Sequence, residues 1–321
     1  MSKIELPKSV MAAINFKGGT GKTTVALAIA EGICRLMQKR VVVIDCDFQC
    51  SASIALLGRR TLNDLIRRNA TMDCLLLSKL AKRSGTRLRE RVAAAQFCVS
   101  EAAGLMHILP GSPDMPRHER QIVASFLPKS DINAAYETAA AKMGDQFRSL
   151  LDEFDFVLID CPPGLTLFSE AAIRAADGIV VPTLPNEISF AAIDHLRAEI
   201  ARARPDTPFD DLLVGTVVSK VRQKNGSTSH RTHVESIERL LDRVAPQFQL
   251  LKPYLPYCRE LEGATWRDNE RSISFAMRYG QSSGMVERLV QEFASRCGAL
   301  MARRQHASGA GRDTRREAHG R

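Results

Sequence analysis

The amino-acid sequence predicts a doubly wound α/β fold, in which helices cover both faces of a mainly parallel sheet. Three segments carry this prediction because they are apolar almost throughout: residues 10–16, Val41–Asp45 and Phe156–Asp160. A run that does not alternate with polar residues is typical of a parallel strand buried on both faces. A helical segment at 22–37 joins the first two strands, so the chain begins with a strand–helix–strand unit.

The rest of the chain continues this alternation. Further strands are predicted at 105–109, 178–182, 212–218 and 250–256, with helices at 188–203 and 285–301 and two more between 113 and 153. Residues 54–103 are predicted to be a variable helical elaboration that covers one edge of the sheet. We therefore expect one domain over residues 1–304. A disordered basic tail is expected over 305–321, which is rich in glycine, alanine, arginine and histidine.

The first predicted turn has the composition of a phosphate-binding loop. The segment Lys17-Gly18-Gly19-Thr20-Gly21-Lys22-Thr23-Thr24 follows a strand and opens a helix. Its three glycines can take φ > 0 and leave no Cβ in the way of a phosphate, and backbone N–H groups at a helix N-terminus attract an anion. Lys22 would place positive charge on the β- and γ-phosphates, and Thr23 would put a hydroxyl beside Mg²⁺. A turn that only caps a helix is the alternative, which the Gly-Lys-Thr ending disfavours.

Three aspartates follow predicted strands. Asp45 ends the second strand, Asp47 lies two residues later, and Asp160 ends the strand that precedes Pro162-Pro163. Because functional groups of α/β sheets gather beyond the carboxyl ends of strands, all three are expected beside the phosphate loop. Asp160 would hold Mg²⁺ directly or through water, in a Walker B arrangement. For Asp45 and Asp47, capping of the next helix is the alternative.

Together these motifs resemble the deviant Walker A ATPases of the ParA/MinD family. The loop begins with Lys17, and the segments 45–49 and 160–163 are similar to two further segments of that family. The resemblance implies a P-loop ATPase with ATP and Mg²⁺ as cofactors, and an ATP-dependent homodimer in which Lys17 reaches the partner's nucleotide. It also implies that Asp47 orients the attacking water, that Thr23 and Asp160 bind the metal, and that Asp45 lies near it.

The base end of the nucleotide site is marked by fewer residues. The resemblance places Lys220, beside Ser219, and Pro256, at the end of the last predicted strand, against the nucleotide. Three positions depart from the family pattern. Phe48 stands where relatives have proline, Ser219 where they often have asparagine, and Gly263 where they have glutamate. The prediction of nucleotide binding therefore rests on the residues at the phosphate end of the site.

Charge and composition bound the possible partners. The chain has a formal net charge of +9, which favours a polyanion such as nucleic acid or an anionic membrane surface. By the resemblance, non-specific DNA would bind a basic surface in the C-terminal part. Its candidate residues are Arg222, Lys224, Arg231, Arg267, Arg271 and Arg278. No apolar run reaches the roughly 20 residues that span a bilayer, and no signal segment opens the chain, so a cytoplasmic, nucleoid-associated location is expected.

The cysteines predict no disulfide framework. Eight are scattered along the chain without a Cys-x-x-Cys pair, so we expect reduced, mostly buried thiols. A metal site on the close pair Cys46 and Cys50 is the alternative, although it needs further ligands.

The expected function is an ATP-dependent switch that partitions or positions DNA. ATP would drive a sandwich dimer that binds DNA without sequence preference, and a ParB-like partner would stimulate slow hydrolysis and release. The alternatives are a MinD-like membrane-associated ATPase, an ATP-dependent ligase of the dethiobiotin synthetase type, a metal-cluster carrier and a scaffold that does not hydrolyse. The tail lacks an apolar face for a membrane, paired cysteines are absent, and Lys17 with Asp47 disfavours the scaffold.

Overall fold

The computed structural model describes residues 6–81, 85, 87–127, 131–221, 228–263 and 273–318. Within the helices, residues 228–234, 245 and 305–318 are described by their backbone alone. Four of the predicted DNA-binding residues, Arg222, Lys224, Arg267 and Arg271, lie outside the described residues, as does the side chain of Arg231. The proposed DNA surface therefore stays a prediction.

One eight-stranded sheet forms the centre of the domain. Its strands are β1 (Ser9–Ala13), β2 (Val41–Asp45), β3 (Ala93–Ala94), β4 (Met106–Leu109), β5 (Phe156–Asp160), β6 (Gly178–Thr183), β7 (Leu213–Val218) and β8 (Leu250–Leu251). They lie in the order β3-β4-β2-β5-β1-β6-β7-β8. Every pairing is parallel except that of β3 with β4, which confirms the predicted mainly parallel sheet.

Helices cover both faces of this sheet, as predicted. They are α1 (Lys22–Met37), α2 (Ser51–Arg67), α3 (Met72–Leu76), α4 (Met115–Ala124), α5 (Ile132–Arg148), α6 (Leu167–Ala175), α7 (Glu187–Ala203), α8 (Thr228–Phe248), α9 (Arg259–Gly263), α10 (Phe275–Tyr279) and α11 (Ser283–Ala318). One core lies between the sheet and helices α1, α2, α10 and α11. The other lies between the opposite face and helices α3 to α8. Alternate residues of β1 point into each core, since Val10 and Ala12 belong to one and Met11 and Ala13 to the other.

Two segments differ from the sequence expectation. The segment 54–103 contains a kink at Gly58, where φ is 73°, and includes the short edge strand β3. The last strand, predicted over 250–256, ends at Leu251, because Pro253 offers no N–H to a continuing ladder, and pairing resumes as a bridge between Val221 and Pro256. The backbone of α11 is helical as far as Ala318, and the disordered basic tail expected over 305–321 stays a prediction.

The helix that follows the phosphate loop is fixed by a buried ion pair. Glu31 on α1 is fully buried, and Arg278 on α10 is 3% exposed. The Arg278 Nε atom lies 3.1 Å from Glu31 Oε2, and the Tyr279 hydroxyl donates a hydrogen bond of 2.6 Å to the same oxygen. The sequence-based assignment of Arg278 to a DNA-binding surface is therefore wrong, because its guanidinium is buried against Glu31 rather than exposed.

Candidate nucleotide-binding site

The predicted site residues meet at the carboxyl edge of three adjacent strands. Asp160 at the end of β5 lies in register with Ala13 of β1 on one side and with Asp45 of β2 on the other. The phosphate loop follows β1 and runs directly into α1. The parallel order of these strands thus brings together a glycine-rich loop and two carboxylates that are distant in sequence, at the edge where α/β sheets bind ligands.

Two of the three loop glycines have the backbone conformation that requires glycine. Gly19 and Gly21 have φ of 73° and 84°, in the left-handed region that costs other residues about 1–2 kcal/mol. A Cβ at Gly21 would also lie 3.3 Å from Ser219 Oγ, whereas one at Gly18 would meet nothing within 4 Å. The Ser219 hydroxyl donates to the Thr20 carbonyl at 2.9 Å, so the end of β7 holds the loop in place.

The two loop lysines take different directions. Lys22 is 7% exposed, and its Nζ atom donates to the Lys17 carbonyl at 3.1 Å. Burial lowers the pKa of Lys22, while the nearby Asp160 and Asp47 carboxylates oppose that change. The Lys17 ammonium instead donates to Ser189 Oγ on α7 at 2.9 Å. Of the two loop lysines, Lys22 is therefore the one placed against Asp47 and Asp160.

The carboxylate of Asp45 is already engaged by the protein. Its Oδ2 atom accepts hydrogen bonds from the Ser53 N–H at 2.8 Å and the Ser53 hydroxyl at 2.7 Å, and Oδ1 accepts the Asp47 N–H at 3.2 Å. Burial raises the pKa of Asp45 to about 6, although the Ser53 hydrogen bonds oppose the shift. Since Ser53 lies in the first turn of α2, these hydrogen bonds place the Asp45 carboxylate at the N-terminus of that helix.

Asp47 does not cap that helix, because Cys50 occupies its N-cap position. Instead Asp47 is 7% exposed, and within the described part of the chain its carboxylate accepts one hydrogen bond, from the Gln49 N–H at 2.9 Å. Burial raises its pKa, and Lys22 partly offsets the effect. The second oxygen of Asp47 is thus available at the edge of the cleft that the phosphate loop forms.

Asp160 has the surroundings that a cation requires. It is fully buried, and neither carboxylate oxygen accepts a well-formed hydrogen bond within the described part of the chain. Burial, chiefly, and the Asp45 carboxylate raise the pKa of Asp160 well above its ordinary value, while the nearby Thr23 side chain and Lys22 ammonium oppose the rise. A buried carboxylate without partners is costly, and carboxylate and hydroxyl oxygens are ligands that Mg²⁺ prefers. The residues therefore fit a Mg²⁺ ion.

A cleft of about 640 Å³ joins the phosphate loop to the predicted base contacts. Its walls include residues 18–25, Asp47, Pro163, Ser219, Lys220 and the segment 255–257. Lys220 and Pro256, predicted to contact the nucleotide, thus line the same cleft as the loop. The Lys220 ammonium lies 3.6 Å from Glu262 Oε1, so α9 forms part of this end. A volume of this size suits a drug-sized or nucleotide-sized ligand.

Three serines that position the site were not found by sequence reasoning. Ser53 orients Asp45, Ser189 binds Lys17 and Ser219 holds the loop. Ser189 lies 172 residues from Lys17, and Ser219 lies 199 residues from Thr20. No local motif marks such contacts, because they arise only when β6 and β7 pair beside β1. The position of Ser53 in the first helical turn after Asp45 is the one signal that the sequence carries.

A parallel sheet, a glycine-rich loop ahead of a helix, and carboxylates on the neighbouring strands define a P-loop nucleotide-binding protein. The chain belongs to the AAA domain family, whose profile matches residues 8–208. Within it the chain is of the ParA/MinD type, which confirms the resemblance seen in the sequence.

Several curated relatives support that assignment. The chain is 27% identical over 199 residues to the chromosome partitioning protein ParA of Caulobacter vibrioides, covering 62% of this chain and 64% of the relative. It is 25% identical over 205 residues to ParA of Myxococcus xanthus, covering 62% of each. A putative replication protein A of Rhizobium rhizogenes is 26% identical over 189 residues. The chain spans 43% of the length of that relative, and 59% of the chain is matched.

Solved structures share the fold. McdA from Cyanothece in complex with ATP has a TM-score of 0.65 at 17% identity, covering 92% of this chain and 98% of that one. Cobyrinic acid a,c-diamide synthase from Mycobacterium smegmatis, with a bound ATP analogue and magnesium, has a TM-score of 0.62 at 21% identity, covering 88% and 93%. A plasmid partition protein from Borrelia burgdorferi has a TM-score of 0.61 at 14% identity, covering 89% and 98%. The chain therefore shares its fold with a partition protein and with a synthase.

Proposed function

We propose that the chain is a Mg²⁺-dependent ATPase that acts as a nucleotide switch for DNA partition or positioning. ATP binding drives a sandwich homodimer that binds DNA without sequence preference, and a ParB-like partner stimulates hydrolysis and release. The observation that carries the proposal is the arrangement of the loop lysines. Lys22 lies with Asp47 and Asp160, whereas Lys17 contacts Ser189 on α7. The Lys17 ammonium therefore lies apart from this group of carboxylates and is available to a partner chain.

The phosphate end of the cleft supports ATP and Mg²⁺ as cofactors. Loop N–H groups and Lys22 would bind the phosphates, and Thr23 and Asp160 would hold the metal, with Asp45 orienting the neighbouring backbone. A bound Mg²⁺ would supply positive charge to the phosphate oxygens. The structures of a related fold with an ATP analogue and magnesium agree with this choice.

The hydrolytic step needs little more than positioning and charge. One carboxylate oxygen of Asp47 is not bonded to the Gln49 N–H. This oxygen can accept a hydrogen bond from the attacking water. Lys17 leaves Ser189 and places its ammonium on the partner's γ-phosphate, where negative charge develops. Hydrolysis is therefore slow in the monomer and requires the dimer, which is the behaviour expected of a switch.

Charge supports DNA as the ligand of the dimer. The net charge of +9 favours a polyanion, and lysine and arginine contacts to phosphates give binding that weakens steeply with salt. Membrane attachment has less support, because the predicted tail lacks the apolar face of an interfacial helix. No helix in the described ranges is long and apolar enough to cross a bilayer. We propose that the protein is associated with the nucleoid.

A ligase is the second candidate, and one observation favours it. The synthase from Mycobacterium smegmatis shares the fold over most of both chains. A ligase would release ADP only when its own small-molecule substrate is present, without any effect of DNA. ADP production measured with DNA but without small-molecule substrates separates the two candidates.

The test of the proposed function is binding to a random DNA duplex with ATP, with ADP and without nucleotide, over a salt series. We expect binding with ATP alone, falling with salt. Lys17→Ala should abolish it and Asp47→Ala should prolong it, because the dimer then forms but cannot hydrolyse ATP. Lys8→Ala is the matched control, since Lys8 precedes β1 at the opposite edge of the sheet. Binding that ignores the nucleotide, or an equal loss in Lys8→Ala, would contradict the proposal.

A further inference from the structure

A second cluster of ligand-type side chains lies outside the nucleotide cleft, between α3 and α4. Asp73 and Cys74 belong to α3, and His118 belongs to α4. One carboxylate oxygen, one thiol sulfur and one imidazole nitrogen from these residues lie within 4.8 Å of one another. Oxygen, sulfur and nitrogen donors are the set with which proteins bind zinc.

The local fold directs the carboxylate of Asp73 into this cluster. The Met72 N–H donates to the Pro110 carbonyl at 2.8 Å, which fixes the start of α3 against the turn after β4. Asp73 is fully buried, and its Oδ2 atom accepts the Ser112 hydroxyl at 2.6 Å. The Nδ1 atom of His118 lies 2.6 Å from the same oxygen. Asp73 is therefore held in one orientation before any ligand arrives.

The other oxygen of Asp73 is the independent observation. Oδ1 is buried and has no hydrogen-bond partner among the described residues. A network that served only to join α3 to α4 would be complete with the bonds to Oδ2, and it would leave Oδ1 at the full cost of desolvation. The Cys74 thiol donates to Asn69 Oδ1 at 3.9 Å, a long contact that a metal ligand can exchange. A cation bound to Oδ1 supplies the partner that this oxygen lacks.

We propose that Asp73, Cys74 and His118 form a binding site for a zinc ion. The thiol and imidazole disfavour Mg²⁺, which prefers oxygen ligands. Zinc ligand bonds of about 2.0–2.3 Å put neighbouring ligands of a tetrahedron about 3.3–3.8 Å apart. Small rotations of the half-buried Cys74 and His118 side chains bring the donors from the 4.8 Å limit to that spacing, while Asp73 keeps its orientation. Water or Asp114, an exposed carboxylate that acts on the Cys74 thiol, completes the coordination.

The site is separate from the nucleotide cleft, although the two are connected. The Gly111 N–H donates to the hydroxyl of Ser53, which in turn donates to Asp45. Ser112 follows Gly111 and binds Asp73. The zinc site therefore lies on the far side of the turn that supports Asp45, and its existence does not depend on the proposed function.

The test uses the full-length chain, stripped with a chelator and kept in excess Mg²⁺ so that oxygen-only sites are occupied. Zinc is titrated against a chromophoric chelator, and Co²⁺ is added as a spectroscopic probe. We expect one equivalent of zinc. Cobalt should give a thiolate-to-metal charge-transfer band together with the d–d bands of a tetrahedral site. Binding should release a proton from the thiol, so the affinity rises with pH.

Matched variants locate the site. Cys74→Ser should remove the charge-transfer band and weaken zinc binding at least tenfold, and His118→Ala should weaken it to a similar extent. The controls are Cys258→Ser and His195→Ala. Cys74 and Cys258 are the two cysteines that are not buried, and His195 is exposed on α7. Both controls should bind zinc as the parent protein does.

Thermal unfolding distinguishes loss of ligands from loss of fold. Zinc should raise the Tm of the parent protein and of both controls, and at the same zinc concentration it should raise the Tm of folded Cys74→Ser by less. The proposal is overturned if the parent binds no zinc at micromolar concentration. It is also overturned if Cys74→Ser and His118→Ala bind zinc as tightly as the parent protein.

Discussion

Replacement of Arg278 by leucine tests the ion pair that fixes α1. Arg278→Leu removes the guanidinium that lies 3.1 Å from Glu31 Oε2 and leaves Glu31 fully buried. Removal of one partner of a buried ion pair costs about 3–5 kcal/mol, because the remaining charge is uncompensated. We therefore expect the free energy of unfolding to fall by about that amount at pH 8, measured by urea denaturation.

The pH dependence identifies the cause of the loss. Burial raises the pKa of Glu31, and Arg278 opposes that shift, so the variant raises the pKa further. A carboxyl whose folded pKa lies above its unfolded value contributes its stability below the unfolded pKa and loses it as the pH rises. The difference between variant and parent should thus be largest at pH 8 and shrink as the pH approaches 4.5, the ordinary value for glutamate.

Two further variants complete this experiment. Glu31→Gln in the Arg278→Leu background should recover part of the loss, because a neutral amide needs no counter-charge. Arg68→Leu is the control, since Arg68 forms an exposed ion pair with Asp64 at 3.0 Å, and such pairs contribute about 0–1 kcal/mol. A loss in Arg278→Leu no larger than that of the control, or one that does not change with pH, would refute the reasoning.

Three other outcomes follow from the site geometry. Gly21→Ala should weaken ATP binding more than tenfold in a calorimetric titration, because φ is 84° there, while Gly284→Ala on α11, with free space around it, should bind as the parent does. Ser189→Ala frees the Lys17 ammonium, so the ATP-dependent dimer should form in sedimentation at an equal or lower protein concentration, and its loss would count against the proposed role of Lys17. Chelation of Mg²⁺ with EDTA should abolish ADP production in a coupled assay. Activity that persists would show that hydrolysis does not need the metal.

The sequence predicts the central strands and the phosphate loop well, for a physical reason. Strands buried on both faces are apolar without alternation, and the loop needs glycine where φ is positive. The helix predicted at 22–37 coincides with α1, and Val41–Asp45 and Phe156–Asp160 are β2 and β5. The residue types of these segments reflect whether each segment is buried, so the local sequence pattern is enough to predict them.

The edges of the fold and the support of the site are less predictable. β3 has two residues and exists only through its pairing with β4, so no local pattern marks it. In the sequence, Arg278 cannot be distinguished from a DNA-binding arginine. Its contact with Glu31 is seen only in the folded structure. The contact between Lys17 and Ser189 depends in the same way on where α7 lies beside the loop.

The ATP-driven dimer is measured by sedimentation of the Asp47→Ala variant with ATP, with ADP and without nucleotide, all in Mg²⁺. Loss of Asp47 stops hydrolysis, so the nucleotide state stays fixed during the run. We expect a mass of two chains with ATP and of one chain in the other two states, and a monomer with ATP when Lys17→Ala is added. A monomer in all three states, or a dimer that forms without ATP, would contradict the claim that this chain is an ATP-driven switch.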